Sequence, residues 1–274
     1  MKRFLMCYPK NFLVNYEINP WMKNNIGTVD SLTAVSQWEE LHKQLLSIGN
    51  EIILMRNQST AVPDLVFTAN AAMKSGKSAL IANFSNSERK PESKIYKELF
   101  ESIGFNADMR CIENNINFEG AGDVLLHQSS NTYVLAYGFR TDKKALEIVQ
   151  GFLKDNASSS KVAQVKLVDP RFYHLDTCFC PLDNGDILYY PEAFSKESLI
   201  IIQEIFKDKL IEVSEPDAQN FACNAVSIDR FVYMNKVSAK LLKILLDKGL
   251  IVVETPLDEF LKAGGSAKCL TMEI

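Results

Sequence analysis

The feature that most constrains the fold of this chain is a recurrence. Five stretches carry apolar residues at helical spacing: residues 30–48, 91–103, 142–153, 196–206 and 238–246. In the first, Leu32, Val35, Trp38, Leu41, Leu45 and Leu46 read as one apolar face. Each stretch leads through a turn into a short apolar run, residues 51–55, 106–110, 162–168, 210–213 and 250–254, which reads as a strand. Further strand-like runs lie between the helices, such as residues 78–82 after Ser75-Gly76 and residues 187–190 after Asp183-Asn-Gly185. A strand, strand, helix, strand unit used five times predicts radial repetition, because one such unit leaves apolar faces that only its neighbours can cover. The residues themselves do not repeat, so the pattern of elements alone also admits a generic α/β or α+β domain.

Composition narrows the class. With 274 residues, 47% hydrophobic and 23% charged, the chain can bury a sizeable core as a soluble protein. A net charge of −4 gives no support to nucleic acid or an anionic membrane as a partner. The apolar run at the amino terminus breaks at Pro9 before a signal-peptide core forms, and no later run approaches a membrane span. Of the six cysteines only Cys178 and Cys180 are close in sequence, which fits reduced thiols in a cytoplasmic protein. The serine run at residues 158–160 is a loop and not a linker.

Three histidines are present. His42, on the first helix, and His127, after Val124-Leu-Leu126, read as structural. His174 lies in the polar cluster Asp169-Pro-Arg-Phe-Tyr-His-Leu-Asp-Thr-Cys178. If that segment is extended, His174 and Asp176 point to the same side, as a general base and its orienting carboxylate would. The bland alternative is a satisfied core histidine, and a zinc site on His174, Cys178 and Cys180 lacks a second matching half. In Phe118-Glu-Gly-Ala-Gly-Asp123, two carboxylates bracket glycines that allow close backbone approach, either to a cationic ligand or as a plain turn. Pro63-Asp-Leu-Val-Phe-Thr-Ala-Asn70 sets a carboxylate, an aromatic ring and an amide on one short segment. Near the end of the sequence, Ala263-Gly-Gly-Ser-Ala-Lys-Cys269 offers backbone donors and a thiol on a loop edge.

Taken together and in this order, Asp64-Leu-Val-Phe-Thr-Ala-Asn70, Glu119-Gly-Ala-Gly-Asp123, His174-Leu-Asp176 and Gly264-Gly-Ser-Ala-Lys-Cys269 carry a resemblance. The chain resembles the guanidino-group-modifying enzymes of the pentein superfamily, in the branch that holds dimethylarginine dimethylaminohydrolases, arginine deiminases and arginine dihydrolases. The match runs from Asn19-Pro-Trp-Met22 to Cys269. It implies a five-bladed α/β propeller of ββαβ units, with residues 1–274 as one catalytic domain. It also implies Cys269 as nucleophile, His174 as general acid and base, and Glu119 as the carboxylate that holds the guanidinium and orients the histidine. Asp64 falls at the position that helps hold the substrate's α-amino group, and Arg89 and Arg140 resemble the clamps on its α-carboxylate. Asn19, Asp123 and Phe67 are expected to line the site.

One position singles out a branch. Deiminases and dimethylaminohydrolases commonly place an aspartate where this chain has Asn70, and Phe67-Thr-Ala-Asn-Ala71 resembles the arginine dihydrolases. The resemblance therefore implies arginine as substrate and ornithine, carbon dioxide and ammonia as products, without metal or organic cofactor, because a protein thiol does the covalent work. The competing readings are hydrolysis of arginine or methylated arginine that stops at citrulline, amidinotransfer, and a pentein-fold binding module without catalysis. The expected partner is a small-molecule substrate, arginine or methylated arginine, with no nucleic acid and no membrane, and oligomeric state is not legible.

Overall fold

Five three-stranded sheets, each with one flanking helix, account for the recurrence. They are seen in a computed structural model that describes residues 1–56 and 59–274. The strands in chain order are β1 (Arg3–Tyr8), β2 (Glu51–Arg56), β3 (Ala72–Ser75), β4 (Ser78–Ile81), β5 (Asn106–Asp108), β6 (Val124–His127), β7 (Thr132–Tyr137) and β8 (Lys161–Lys166). They continue as β9 (Phe179–Pro181), β10 (Ile187–Tyr189), β11 (Leu210–Glu212), β12 (Val226–Ile228), β13 (Phe231–Met234), β14 (Ile251–Glu254) and β15 (Met272–Glu273). The blade helices are α1 (Ser31–Ser47), α2 (Glu92–Ser102), α3 (Ala145–Asp155), α4 (Lys196–Phe206) and α5 (Ala239–Asp247).

In four blades the chain forms an antiparallel pair, crosses through the helix, and returns parallel to the second strand. These are β3-β4-α2-β5, β6-β7-α3-β8, β9-β10-α4-β11 and β12-β13-α5-β14. The remaining blade departs from five equal units in sequence. Only one strand precedes α1, and the missing strand comes from the far end: β15 pairs antiparallel with β1 through Phe4 opposite Glu273 and Leu5 opposite Met272, while β2 runs parallel to β1. Pairing the two ends closes the ring and leaves no gap between the first and last units.

Local rules explain where elements begin and stop. Asp30 caps α1 by accepting from the Thr33 amide, and Ser195 and Ser238 do the same for α4 and α5. The buried face of α1 is Ala34, Trp38, Leu41 and Leu45. Leu32 is 84% exposed, because on a helical wheel it falls opposite that stripe; Leu46, at 44%, lies on its flank. The strand expected at residues 106–110 ends at Asp108, whose carboxylate accepts from the Arg110 amide and turns the chain into a short helical turn. His42 stacks on Trp38 at 4.9 Å between ring centroids, and His127 is held by Ser130 and the Gly185 carbonyl, so both are structural as expected. Among the described residues no helix is long and apolar enough to cross a membrane.

This topology puts the five connections between blades around one axis. They carry Asp64 and Asn70 (β2 to β3), Glu119 and Asp123 (β5 to β6), His174 and Asp176 (β8 to β9), Asn224 (β11 to β12), and Cys269 (β14 to β15).

Ring closure can be tested at β15. Met272 is 1% exposed and packs in the cluster of Leu5 and Ile81, whereas Glu273 makes only a rim ion pair to Lys2. Met272→Ala is expected to lower the unfolding free energy by about 2–4 kcal/mol in urea titrations, and Glu273→Ala by less than about 1 kcal/mol. Equal effects would remove the closing role given to Met272.

Candidate active site

The thiol of Cys269 is 3% exposed and stands on a loop that can approach its neighbours only because of glycine. A Cβ on Gly265 would come within 2.4 Å of the Phe67 ring, so the Cys269 loop and the Phe67 segment touch through a missing side chain. Asn224 holds the loop from the other side. Its Oδ1 accepts from the amides of Ser266 (3.0 Å) and Cys269 (3.1 Å), and its Nδ2 donates to Sγ (3.1 Å) and to the Asp176 carbonyl (3.0 Å). The thiol in turn donates to Asp176 Oδ2 at 3.4 Å. Burial pushes this thiol well above the usual cysteine range and the Asp176 carboxylate adds to that, against the opposing pull of the Ser266 amide and Asn224. Burial and Asp176 thus favour the thiol over the thiolate.

His174 is extended, but residues Leu175–Thr177 then form a tight turn, so Asp176 leaves the side on which a straight strand would have kept it. Glu119, and not Asp176, orients the imidazole, with Nε2 and Oε2 at 2.7 Å. Burial alone would raise the Glu119 carboxyl, but Arg140, the hydrogen bond and charge of His174, and Arg89 outweigh it and hold it well below the usual carboxylate range. A carboxylate can only accept, so the proton between the two sits on Nε2. Glu119 also accepts from the Ser85 amide and hydroxyl at 3.0 and 2.9 Å. Asp123 accepts from Thr141 (2.7 Å) and from the Leu175 amide (3.1 Å), which fixes the loop that carries His174.

Asn70 lies against the Gly120-Ala-Gly-Asp123 turn: a Cβ on Gly122 would meet Asn70 Nδ2 at 2.2 Å and His174 Cγ at 3.5 Å. Arg89 Nη1 donates to Asn70 Oδ1 at 2.8 Å. Since a guanidinium only donates, this bond fixes the amide's orientation and turns its NH2 away from Arg89. Three buried polar atoms of the site lack a hydrogen-bond partner: the donor Asn70 Nδ2 and the acceptors Asp64 Oδ1 and Asp176 Oδ1. The Tyr16 hydroxyl, itself without a well-formed hydrogen bond, is the polar group beside Asp64 and the two interact electrostatically. Unpartnered buried groups cost about 1–3 kcal/mol each, and two acceptors with one donor are what a donor-rich cation with an oxygen-bearing product would complement.

The arginines expected to clamp a carboxylate are both buried here. Arg89 makes a two-pronged pair with Glu92, Nε to Oε1 and Nη2 to Oε2 at 2.8 Å each, and also reaches the Asp64 carbonyl. Glu92 is its counter-ion, so in this structure Arg89 braces Asn70 and Asp64. Arg140 lies over the Tyr173 ring at 4.6 Å, with Nη2 on the Ile18 carbonyl and Nη1 3.4 Å from Glu119. Asn19 accepts from the Trp21 and Met22 amides and donates to the Ala263 carbonyl, which ties the first blade to the Cys269 loop. The Cys178 and Cys180 thiols face backbone carbonyls, and among the described residues no three metal-ligating side chains come together. Asn224 was not singled out from the sequence. The available signal was its place, in the connection between the fourth and fifth units.

The chain matches, over residues 8–274, the family model described as N,N dimethylarginine dimethylhydrolase, eukaryotic. It is 42% identical over 273 residues to the bifunctional arginine dihydrolase/ornithine cyclodeaminase AgrE of Nostoc sp., covering 99% of this chain and 38% of that protein. It thus spans well under half the length of that relative. It is 37% identical to the N(G),N(G)-dimethylarginine dimethylaminohydrolase of Mycobacterium tuberculosis, covering 100% of this chain and 86% of that one. A crystal structure of the N-terminal domain of ArgZ, with an asparagine replaced by serine and a reaction intermediate covalently bound, superposes with a TM-score of 0.94 at 41% identity, covering 100% of this chain and 97% of that one. The five-bladed fold expected from the sequence is thereby shown.

Asp176 yields a test by pH. Burial pushes its carboxyl up to about 6, against the charge of Lys268 and the hydrogen bonds from Cys269 and Asn224. Because the folded carboxyl holds its proton more tightly than the unfolded one, the stability it contributes is full below about pH 4 and is lost as pH rises through about 6. Asp176→Asn should therefore be more stable than the parent by about 3 kcal/mol at pH 8, with the gap closing toward pH 4. A gap of constant size across that range would contradict the assignment.

Proposed function

This chain belongs to the N,N-dimethylarginine dimethylhydrolase family, and from that premise we propose that it hydrolyses free arginine to ornithine, carbon dioxide and two ammonia. The observation that carries this reading is the Asn70 amide, whose NH2 is buried without a partner while its oxygen is held by Arg89.

The substrate guanidinium, a donor on every nitrogen, meets the acceptor Asp176 Oδ1 and the Glu119 carboxylate, Asp64 Oδ1 accepts from the α-amino group, and Arg140 takes the α-carboxylate at its remaining edge. Its positive charge near Cys269 favours the thiolate that burial otherwise disfavours. Sulfur attacks the guanidinium carbon, ammonia leaves with a proton from His174, and water activated by His174 releases the ureido product. That product carries an oxygen where the cation carried a nitrogen. The Asn70 NH2 can donate to it, whereas an aspartate would set acceptor against acceptor. A second attack expels the second ammonia, and water frees a carbamate that falls apart to ornithine and carbon dioxide. Over both cycles two waters are consumed.

We assign residues 1–274 to one catalytic domain working in the reducing cytoplasm, where the Cys269 thiol is maintained. The second reading, hydrolysis of methylated arginine to citrulline, draws support from the identity to the Mycobacterium tuberculosis relative. The assay that separates the two incubates the protein with arginine, dimethylarginine, agmatine and citrulline and measures ammonia, ureido product and ornithine together. Arginine giving two ammonia per ornithine is expected; citrulline as the end product would overturn the dihydrolase reading.

Two variants address the residues. Cys269→Ala should lower turnover by more than about a thousandfold, and preserved activity would rule out thiol catalysis. Asn70→Asp should shift the product ratio toward citrulline by roughly tenfold or more, the worth of one buried hydrogen bond. An unchanged ratio would withdraw the role given to this amide.

A further inference from the structure

On the axis behind the nucleophile segment lies a cavity of about 190 Å³ whose wall includes none of His174, Glu119, Asn70, Asp64 or Cys269. Every blade contributes to it, through residues such as Phe4, Met73, Leu125, Pro181 and Val226. Its partly exposed rim is Lys2 with Asp183 and Glu273, at Nζ to carboxylate distances of 2.9 and 3.3 Å, so those charges are already matched. Two more lysines face the same space. Lys74, on β3, and Lys268, next to Cys269, are half-buried, and neither has an ion-pair partner within 4.0 Å among the described residues.

We propose that this cavity binds a small dicarboxylate, with its carboxylates on Lys74 and Lys268 and its carbon skeleton on the apolar wall. Half-buried lysines without a carboxylate partner gain from an anion that can accept their hydrogen bonds. A neutral apolar ligand would leave both unpaired, and a bare inorganic anion would leave the half-buried Leu126, Tyr133 and Pro181 of the wall uncovered. A cavity of 190 Å³ holds about six waters, the scale of a four- or five-carbon diacid. The ligand also touches the catalytic segment from behind, because the Lys268 amide donates to the Asn224 carbonyl at 3.2 Å and Asn224 grips the Cys269 sulfur.

Calorimetric titration of the purified protein with succinate and glutarate at constant ionic strength tests this without reading turnover. A Kd below about 1 mM is expected, weakened roughly tenfold or more by Lys74→Met and by Lys268→Met, with butyrate and inorganic phosphate binding weaker by a similar factor. Lys74 lies outside the catalytic groups, and an unshifted thermal midpoint of Lys74→Met without ligand confirms that the variant is folded. No binding at 10 mM diacid would overturn the proposal. So would Lys74→Met binding like the parent, or phosphate binding as tightly as succinate, which would mark an adventitious anion only.

Discussion

The antiparallel pairing of β15 with β1 is the contact on which the rest of this structure depends. A strand of two residues has little strength of its own, yet it supplies the third member of a sheet that the amino-terminal part of the chain cannot complete. Each blade buries one face only against its neighbours, so an open ring would leave two apolar faces in water at once. The same pairing anchors the segment just before it, which carries Cys269. Closing the fold therefore also places the Cys269 thiol, which Asn224 holds although it stands near the end of the sequence.

Around the axis the structure keeps charge where water would normally be required. Glu119 is the pivot, because Arg140 and His174 both lean on it and Ser85 satisfies its other oxygen. Arg89 and Glu92 form a second buried pair whose outer edge orients Asn70. These pairs are complete, whereas Asp64, Asp176 and the Asn70 NH2 are not. That contrast between satisfied and unsatisfied buried groups is what a ligand site would show. The raised thiol and the raised Asp176 carboxyl have one main cause, burial away from water.

The two ends of the axis differ in sign. On the catalytic side the partnerless atoms of Asp64 and Asp176 are acceptors, and on the far side Lys74 and Lys268 are cations in an apolar wall. One short segment, Lys268-Cys269, faces both.

Much was legible before any coordinates. Helical periodicity located all five blade helices to within a few residues, because an amphipathic stripe is a local property that packing only has to accept. The ordered motifs that carry Glu119, His174 and Cys269 also marked close backbone approach through their glycines, and Glu119 and His174 do meet. The sequence could not say which carboxylate serves His174, since the turn at Leu175–Thr177 cancels the alternation that would have paired it with Asp176. Nor could it reveal Asn224, the bracing of Asn70 by Arg89, or the strand borrowed from the far end. Each of these joins residues tens to hundreds of positions apart. The sequence by itself determined the repeating unit and the chemical kinds of group available; the tertiary structure alone decided which of them meet, because contacts across the axis are set by closure of the ring and leave no periodic trace in the chain.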